Sequence, residues 1–359
     1  MAMDFVNYLD LDGKLHPDCK PKISNDDLLK GYKTMMLTRL VDDRMITLQR
    51  QGIISFAMSA LGEEACAVAS AAALEPGDWM YPQYREAGIM FWRGFSIQQY
   101  VNHMFGNSQD LVLGRQMPNH FGSRALNIVT VSSPIGTKIP HAAGCAYAMK
   151  LQGDKSVAIC YFGEGATSEG DFHVGLNFAA VRKAPAIFFC RNNGYAISTP
   201  CSRQFASDGI APKGVGYGML TFKVDGNDFF ALHSVVSLAR EHCIEGKGPV
   251  LIEAMTYRRA SHSTSDDPTQ YRKDDEVMAW EKKCPVLRLN RYLQAQGLWS
   301  DQKEKELVES ISEEITNAIN VAKSIPRPPL KSVVENVYFE VPASLKEQYA
   351  EIKTFFPND

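Results

Sequence analysis

Several features are scarce or missing in this 359-residue sequence, and each absence removes a class of protein. The eight cysteines form no CxxC pair and no zinc-type spacing, so we expect reduced, mostly buried thiols rather than a metal site. No apolar run approaches the roughly 18 residues that a membrane span requires, and no membrane association is expected. The 38 Lys and Arg residues, against 41 Asp and Glu, form no basic block, which argues against a nucleic-acid partner.

Targeting signals are also missing from the first residues. They contain no basic region followed by an apolar stretch and no Arg-rich amphipathic pattern. We therefore expect a soluble intracellular protein. It would be cytoplasmic in a bacterial-type source, or in the mitochondrial matrix if the chain is a processed eukaryotic form.

The rest of the sequence alternates short apolar runs with helical patterns. Strands are predicted over 156–161, 186–190, 221–224 and 250–255, and helices over 26–51, 63–74, 168–182 and 229–245. This alternation predicts an α/β fold with a doubly wound, mostly parallel sheet. We divide the chain into an irregular arm (1–25), the α/β domain (26–297) and a helical C-terminal extension (298–359). In the extension, an apolar stripe favours docking on the chain's own domain over a partner site; it comprises Leu307, Ile311, Ile315 and Ile319.

Unusual polar residues follow the first two predicted strands of the β–α–β region. Gly163-Glu164-Gly165 comes after one strand and Arg191-Asn192-Asn193-Gly194-Tyr195 after the next. Ligands of an open α/β sheet bind outside the carboxyl ends of its strands. A carboxylate, an amide oxygen and a turn carbonyl (Glu164, Asn193 and Tyr195) could bind the Mg²⁺ of a diphosphate. The glycines and Arg191 suit the phosphates themselves.

Each segment alone has an ordinary explanation. GxG after a strand also fits a dinucleotide-binding turn, although no complete GxGxxG with a later acidic residue follows. Glu164 could be a helix-capping carboxylate and Asn193 a turn residue. The combination of Gly163-Glu164-Gly165 with Asn192-Asn193, separated by residues 166–191, is much more specific.

That combination resembles the thiamine-diphosphate fingerprint, Gly-Asp/Glu-Gly followed at this interval by Asn-Asn. The residues around it, and the chain from about 50 to 297, resemble the α chain of 2-oxo-acid dehydrogenases. The resemblance implies the thiamine-diphosphate-binding fold, with thiamine diphosphate and Mg²⁺ as cofactors. Residues 114–118 (Gly-Arg-Gln-Met-Pro) are similar to the branched-chain type.

The resemblance also assigns roles to residues in three further segments. In residues 83–88 it implies that Tyr and Arg hold the diphosphate and that Gln faces the substrate. Residues 132–135 would contact the aminopyrimidine and hold the cofactor bent. Residues 258–267 would form a loop with the catalytic His262, a proton donor and diphosphate contact. The implied cofactor-binding residues are Gln83, Tyr84, Arg85, Ser133, Ile135, Gly165, Ala166, Arg191 and His262.

Two further positions relate to regulation and to a second cation. Ser263 matches a serine that is phosphorylated in kinase-regulated relatives, which makes it a regulatory candidate. Branched-chain relatives of the mammalian kind hold K⁺ below the Ser-Ser-Pro segment, where this chain matches at Ser132, Pro134 and Thr137. A glutamine of that site is Lys138 here, so we expect its ammonium to replace the ion.

As an α chain, the protein would need partners. The resemblance implies a β subunit, which supplies the glutamate for the pyrimidine, in a two-α, two-β tetramer. It also implies a lipoyl-bearing acyltransferase that receives the acyl group after a branched-chain 2-oxo acid is decarboxylated. The alternatives are the same reaction on pyruvate or acetoin, and a catalytically silent assembly subunit.

Overall fold

The computed structural model describes residues 4–356. Its strands are β1 (Phe5–Val6), β2 (Trp79–Tyr81), β3 (Ala158–Gly163), β4 (Ala186–Asn192), β5 (Tyr195–Ala196), β6 (Thr199–Pro200), β7 (Leu220–Asp225) and β8 (Val250–Met255). Its helices are α1 (Asn25–Arg50), α2 (Glu64–Ala72), α3 (Ala87–Trp92), α4 (Ile97–Phe105), α5 (Lys138–Gln152), α6 (Gly170–Arg182), α7 (Cys201–Gln204), α8 (Ala211–Gly216), α9 (Phe229–Ile244), α10 (Asp274–Glu281), α11 (Pro285–Ala295), α12 (Asp301–Ser324), α13 (Ser332–Glu335) and α14 (Ala343–Phe355). The predicted strands and helices are confirmed to within a few residues at their ends.

Six of these strands form one sheet in the order β1-β7-β8-β4-β3-β2, and every neighbouring pair is parallel. Strand β3 and residues 186–190 of β4 are apolar and buried, as expected for strands covered on both faces of a sheet. In β3, Ile159 and Tyr161 join one hydrophobic cluster, and the alternating Cys160 and Phe162 join the other. The first cluster includes residues of α1, α2 and α9, and the second includes residues of α5 and α6. The prediction of an α/β fold with a mostly parallel sheet is confirmed.

The N-terminal arm is more ordered than we predicted. Phe5 and Val6 add an edge strand to the sheet by pairing in parallel with β7. The carboxylate of Asp228 then accepts hydrogen bonds from the backbone amides of Tyr8 and Leu9, both at 2.6 Å. The description of residues 1–25 as irregular is therefore wrong for Phe5–Val6. A two-residue strand has no readable periodicity, and residues more than 200 positions away hold it in place.

The apolar stripe of the C-terminal extension docks on the chain itself, as predicted. Ile311, Ile315 and Ile319 of α12 are buried, and α12 packs against α4 and α1. Within residues 4–356, no helix combines the length and the apolar character needed to cross a membrane.

Candidate active site

The carboxyl ends of β3 and β4 lie side by side, because Gly163 pairs with Arg191 in the parallel register. The two polar segments that follow these strands therefore meet. The backbone amide of Asn193 donates to Oε2 of Glu164 at 3.3 Å. The structure thus brings the backbone of Asn193 against the Glu164 carboxylate, and both residues line one cavity.

A cavity of about 170 Å³ opens at this edge of the sheet. Most of the predicted site residues line it: Gln83, Tyr84, Arg85, Ile135, Glu164, Gly165, Ala166, Arg191, Asn193, Tyr195 and His262. Four further residues complete the lining, namely Gly163, Ala196, Ile197 and Arg258. Residues from distant parts of the sequence therefore converge on one cavity.

Glu164 is a buried carboxylate with an unused oxygen. Its residue is only 1% exposed, and Oε1 has no hydrogen-bond partner among the described residues. Burial raises the pKa of this carboxyl above its ordinary value. Glu164 does not cap the following helix, whose N-cap is Glu169. A buried, unpaired carboxylate oxygen beside a cavity fits a cation ligand.

A metal ion in this cavity would need oxygen ligands in addition to the carboxylate of Glu164. Residues 4–356 contain no group of three or more His, Cys, Asp or Glu side chains placed to hold an ion. Asn193 Oδ1 accepts from the amide of Tyr195 at 3.2 Å, and the Tyr195 carbonyl accepts a longer bond from Arg258 at 3.4 Å. One carboxylate with an amide and a carbonyl oxygen suits Mg²⁺, which keeps ligands from phosphate and water.

Arg191 lies in the cavity wall between two buried carboxylates. Its Nη1 donates to Glu63 Oε1 at 3.0 Å, and its Nε forms a close ion pair with Glu86. Nη2 is 3.5 Å from Oε1 of Gln83, a marginal contact. Bidentate binding of a phosphate by Arg191 therefore stays a prediction, since its guanidinium already has two acidic partners.

Arg85 holds His262 in one tautomer. Its Nη1 donates to the carbonyl of Ser59 at 2.6 Å, and its Nη2 contacts the His262 carbonyl at 2.5 Å and Nδ1 at 3.2 Å. Because a guanidinium can only donate, Nδ1 must accept, and the imidazole proton lies on Nε2. His262 is thus arranged as a neutral ring whose Nε2–H is a donor.

Burial, followed by the charges of Arg85 and Arg258, lowers the pKa of His262 to about 4. This pKa lies well below the ordinary value of 6.5, so the ring is neutral at physiological pH in the protein without an anionic ligand. Two cations beside the ring disfavour a third. A bound anion would offset them and raise this pKa.

Ser133 is the predicted cofactor-binding residue that does not line the cavity. It is exposed, and its Oγ lies 2.5 Å from Nε2 of His120. His120 Nδ1 lies 3.0 Å from the Pro118 carbonyl and must donate to it, so Nε2 accepts the proton of the serine hydroxyl.

Ser263 follows His262 in a neighbouring depression that Arg50, Ser59 and Asp266 also line. Its Oγ contacts Ser265 Oγ at 3.1 Å. Asp266 holds the loop, because its carboxylate accepts from the His262 amide at 2.7 Å and from the Tyr271 hydroxyl at 2.6 Å. Ser263 therefore lies within the loop that positions His262.

Lys138 begins α5 and is half-buried, and desolvation lowers the pKa of its ammonium. Within the described part of the chain, it forms no hydrogen bond or ion pair with Ser132, Pro134 or Thr137. No direct contact therefore supports the replacement of K⁺ by the Lys138 ammonium among the described residues, and the replacement stays a hypothesis.

Sequence reasoning missed several residues that build the site. Glu63 and Glu86 are buried partners of Arg191, yet they lie at helix starts, where acidic residues are common. Arg258 was assigned to the loop without a role, and it donates to the Ile197 carbonyl at 2.8 Å. Ile197 has a φ of 57° in the β5–β6 hairpin, a strained region for a β-branched residue, and no sequence signal marks it.

One glycine of the pattern has a packing reason that the structure shows. A Cβ on Gly165 would lie 2.8 Å from Cβ of Ala196 in the β5–β6 hairpin, too close without a shift. At Gly163 the nearest atom would be 4.0 Å away, an ordinary contact. Gly165 thus allows the turn after β3 to approach the hairpin.

Comparison with known proteins identifies the family to which this site belongs. Residues 32–331 match the family described as dehydrogenase E1 component. The chain belongs to that family. It is 48% identical over 338 residues to the 2-oxoisovalerate dehydrogenase subunit alpha, mitochondrial, of Dictyostelium discoideum, covering 94% of this chain and 77% of the relative. The proteins of the same name from Caenorhabditis elegans and Homo sapiens are 47% and 46% identical, covering 92% and 97% of this chain and 77% and 78% of those relatives.

Proposed function

We propose that this chain is the α subunit of the decarboxylating dehydrogenase of a branched-chain 2-oxo acid dehydrogenase complex. Its reaction would be the oxidative decarboxylation of branched-chain 2-oxo acids, with acyl transfer to a lipoyl group. The names of the relatives support this substrate class and do not favour pyruvate or acetoin. The paired Glu164 and Asn193 at the cavity argue against a catalytically silent subunit.

The fold and its division are part of the same proposal. The parallel sheet with helices on both faces supports a doubly wound, thiamine-diphosphate-binding arrangement. Residues 26–297 would form the diphosphate-binding domain, with 1–25 as an arm and 298–359 as a helical extension.

One observation carries the cofactor assignment: among the described residues, the buried Oε1 of Glu164 has no hydrogen-bond partner, while Oε2 accepts from the backbone amide of Asn193. Glu164, Asn193 and the Tyr195 carbonyl would bind Mg²⁺, and Arg85, Arg191 and His262 would face the diphosphate. Gly165 and Ala166 would contact the phosphates through their backbone. The other proposed contacts of the cofactor and substrate are Gln83, Tyr84, Ser133 and Ile135.

When bound, thiamine diphosphate supplies the carbanion chemistry of decarboxylation and acyl transfer. The chain's own residues position it and move one proton. Arg85 keeps the proton of His262 on Nε2, which makes this nitrogen the donor. An anion beside Arg85 and Arg258 would raise the pKa of His262 towards neutral, where an imidazole exchanges protons most effectively.

Partners complete the proposal. A β subunit in a two-α, two-β tetramer would supply the carboxylate for the pyrimidine, and a lipoyl-bearing acyltransferase would receive the acyl group. The relatives' names include the word mitochondrial, which supports the matrix over the cytoplasmic alternative.

The deciding experiment is co-expression with a β partner and an assay of decarboxylation. We expect activity with 2-oxoisovalerate to exceed that with pyruvate, and both to require thiamine diphosphate and Mg²⁺. Higher activity with pyruvate or acetoin would replace the substrate class. Binding of the cofactor without turnover of any 2-oxo acid would favour a silent subunit.

A further inference from the structure

Glu63 is a buried carboxylate directly behind the site. Its residue is 1% exposed, it immediately precedes α2, and it is not one of the residues that line the cavity. Oε1 accepts two hydrogen bonds, from Arg191 Nη1 and from Asn193 Nδ2, both at 3.0 Å. Oε2 lies 3.9 Å from Arg85 Nε and has no hydrogen-bond partner in the described residues. One side chain thus contacts several residues of the proposed diphosphate and metal site.

The contact with Asn193 fixes which way its amide points. An amide has a donor end and an acceptor end of nearly equal size, so only its neighbours select the orientation. Oε1 of Glu63 already accepts from Arg191, and it attracts the NH₂ end of Asn193. At the opposite end, the Tyr195 amide donates to Oδ1 at 3.2 Å. Both neighbours favour the same orientation, and of the two contacts the one with the carboxylate is shorter.

We propose that Glu63 is a positioning residue, which holds the Asn193 amide so that its oxygen is available to the metal. This inference rests on the proposed function, because it assigns the support of a ligand in that same site. With the amide reversed, Asn193 would present NH₂ hydrogens to a divalent cation and repel it. Side chains that orient metal ligands affect the affinity for the metal even though they do not touch it.

A second role of Glu63 must be separated from this one. Its negative charge also balances Arg191 and Arg85, so its loss would make the site more positive. A more positive site binds a bare diphosphate more tightly and a cation less tightly. A glutamine at this position keeps an oxygen for Arg191 and Asn193 but removes the charge, whereas a methionine removes both.

The test measures Mg²⁺ affinity at saturating thiamine diphosphate in the α–β complex, by calorimetry or tryptophan fluorescence. For Glu63→Met we expect the Kd for Mg²⁺ to rise at least about tenfold, as for other residues that orient metal ligands. Glu63→Gln should stay within about threefold of the unaltered protein, on the same scale of metal-ligand effects. In an Asn193→Ala background, Glu63→Met should add no further loss.

Glu64→Gln serves as the matched control, because Glu64 is an equally buried neighbour that pairs with Arg39 instead. Its Mg²⁺ affinity should be unchanged. Equal losses of Mg²⁺ affinity in Glu63→Gln and Glu63→Met would show that the charge of Glu63 matters rather than the orientation of the Asn193 amide. The proposal would also be overturned if Glu63→Met and Asn193→Ala, when combined, each reduced the Mg²⁺ affinity by its own full factor.

If Glu63→Met does not assemble, a second pair of variants decides the question. Asn193→Asp places a carboxylate oxygen against Glu63, so it should bind Mg²⁺ weakly despite its extra negative charge. Adding Glu63→Gln supplies a donor to that oxygen and should restore at least about tenfold of the affinity. If Glu63→Gln does not restore the Mg²⁺ affinity of the Asn193→Asp protein, the inference is wrong. If the unaltered complex binds no thiamine diphosphate at all, the proposed function fails before Glu63 is at issue.

Discussion

Glu164 destabilises the folded protein for as long as no cation is bound. Its carboxyl is almost inaccessible to solvent, and burial raises its pKa. Because the folded pKa of Glu164 is raised, the folded protein loses stability as the pH rises from 4.5 through that folded value, and the penalty grows towards neutral pH. The buried carboxylate of Glu164 is therefore better explained by a role in binding a cation than by a role in stabilising the fold.

Glu164→Gln should raise the melting temperature of the cofactor-free protein at pH 7 and weaken its binding of thiamine diphosphate. The uncharged amide avoids the desolvation penalty but is a poorer ligand for Mg²⁺. Since residues that only orient metal ligands change affinity by about 10–100-fold, we expect a loss of at least that size. Asn193→Ala should weaken binding similarly without a gain in stability.

Scanning calorimetry and cofactor titration together check this pair of effects. Glu169→Gln, at an exposed carboxylate five residues along, is the control and should change neither quantity. Near-normal cofactor affinity in both Glu164→Gln and Asn193→Ala would remove the metal assignment.

His262 should make the stability of the cofactor-free protein depend on pH. Its folded pKa of about 4 lies below the ordinary value of 6.5, so the unfolded chain takes up the proton first. The contribution of His262 to the free energy of unfolding is therefore fully present above about pH 6.5 and is lost as the pH falls towards 4. His262→Gln should flatten that part of the profile.

Melting temperatures at a series of pH values, with His173→Gln as the exposed control, measure this dependence. Saturation with thiamine diphosphate and Mg²⁺ should shift the transition to higher pH, because an anion offsets Arg85 and Arg258. An identical profile for the unaltered protein and His262→Gln would contradict the assigned environment of the ring.

At the scale of elements, Asp266 organises the part of the loop after β8 that carries His262. Asp266 connects the His262 amide to the Tyr271 hydroxyl, and the Asp266 amide donates to the Ser263 carbonyl at 3.2 Å. A negative charge at position 263 would repel Asp266 and also the diphosphate that the loop is proposed to approach. The position is therefore sensitive to charge, whether or not a kinase acts on it.

Ser263→Glu should severely reduce activity of the α–β complex, whereas Ser263→Gln, of the same shape but neutral, should retain most of it. Steady-state assays with 2-oxoisovalerate compare the two. Full activity of Ser263→Glu would mean that the loop does not approach the cofactor as proposed, and equal losses would indicate a size effect.

The segment before α5 tests the hypothesis about potassium. At about 4 Å and an effective dielectric near 20, an ammonium and K⁺ would repel each other by about 4 kcal/mol. If Lys138 replaces the ion, thermal stability and cofactor affinity should be the same in Na⁺ and K⁺ buffers. Lys138→Gln should then acquire a dependence on K⁺. A clear K⁺ requirement in the unaltered protein would refute the replacement.

At the scale of the whole molecule, the proposed site includes residues 132–135 as contacts of the aminopyrimidine, but no carboxylate of the described residues is assigned to it. The purified α chain should therefore be inactive with 2-oxo acids and become active only with a β subunit. Size-exclusion chromatography with light scattering should show a two-α, two-β assembly under the same conditions. Decarboxylation by the α chain alone at the rate of the complex would refute the division of the site.

The sequence predicts the central strands and the first layer of the site because both have local signals. Strand β3 and most of β4 are continuous apolar runs, and Glu164 and Asn193 lie in a spaced pattern that can be read along the chain. The two-residue strand β1 and the strain at Ile197 have no such signal. Glu63, 130 residues before Asn193, becomes a neighbour only through the tertiary fold. Periodicity cannot report pairings of that kind.

The edge strand β1 has a consequence during synthesis. Its anchor joins Tyr8 to Asp228, which are 220 residues apart. At about 5–20 residues per second, a ribosome needs roughly 10–45 s to make the intervening chain. For most of that time Phe5 and Val6 lie outside the exit tunnel without a partner strand, and the arm would be open to chaperones. It should become resistant to proteolysis only after β7 and α9 have left the exit tunnel.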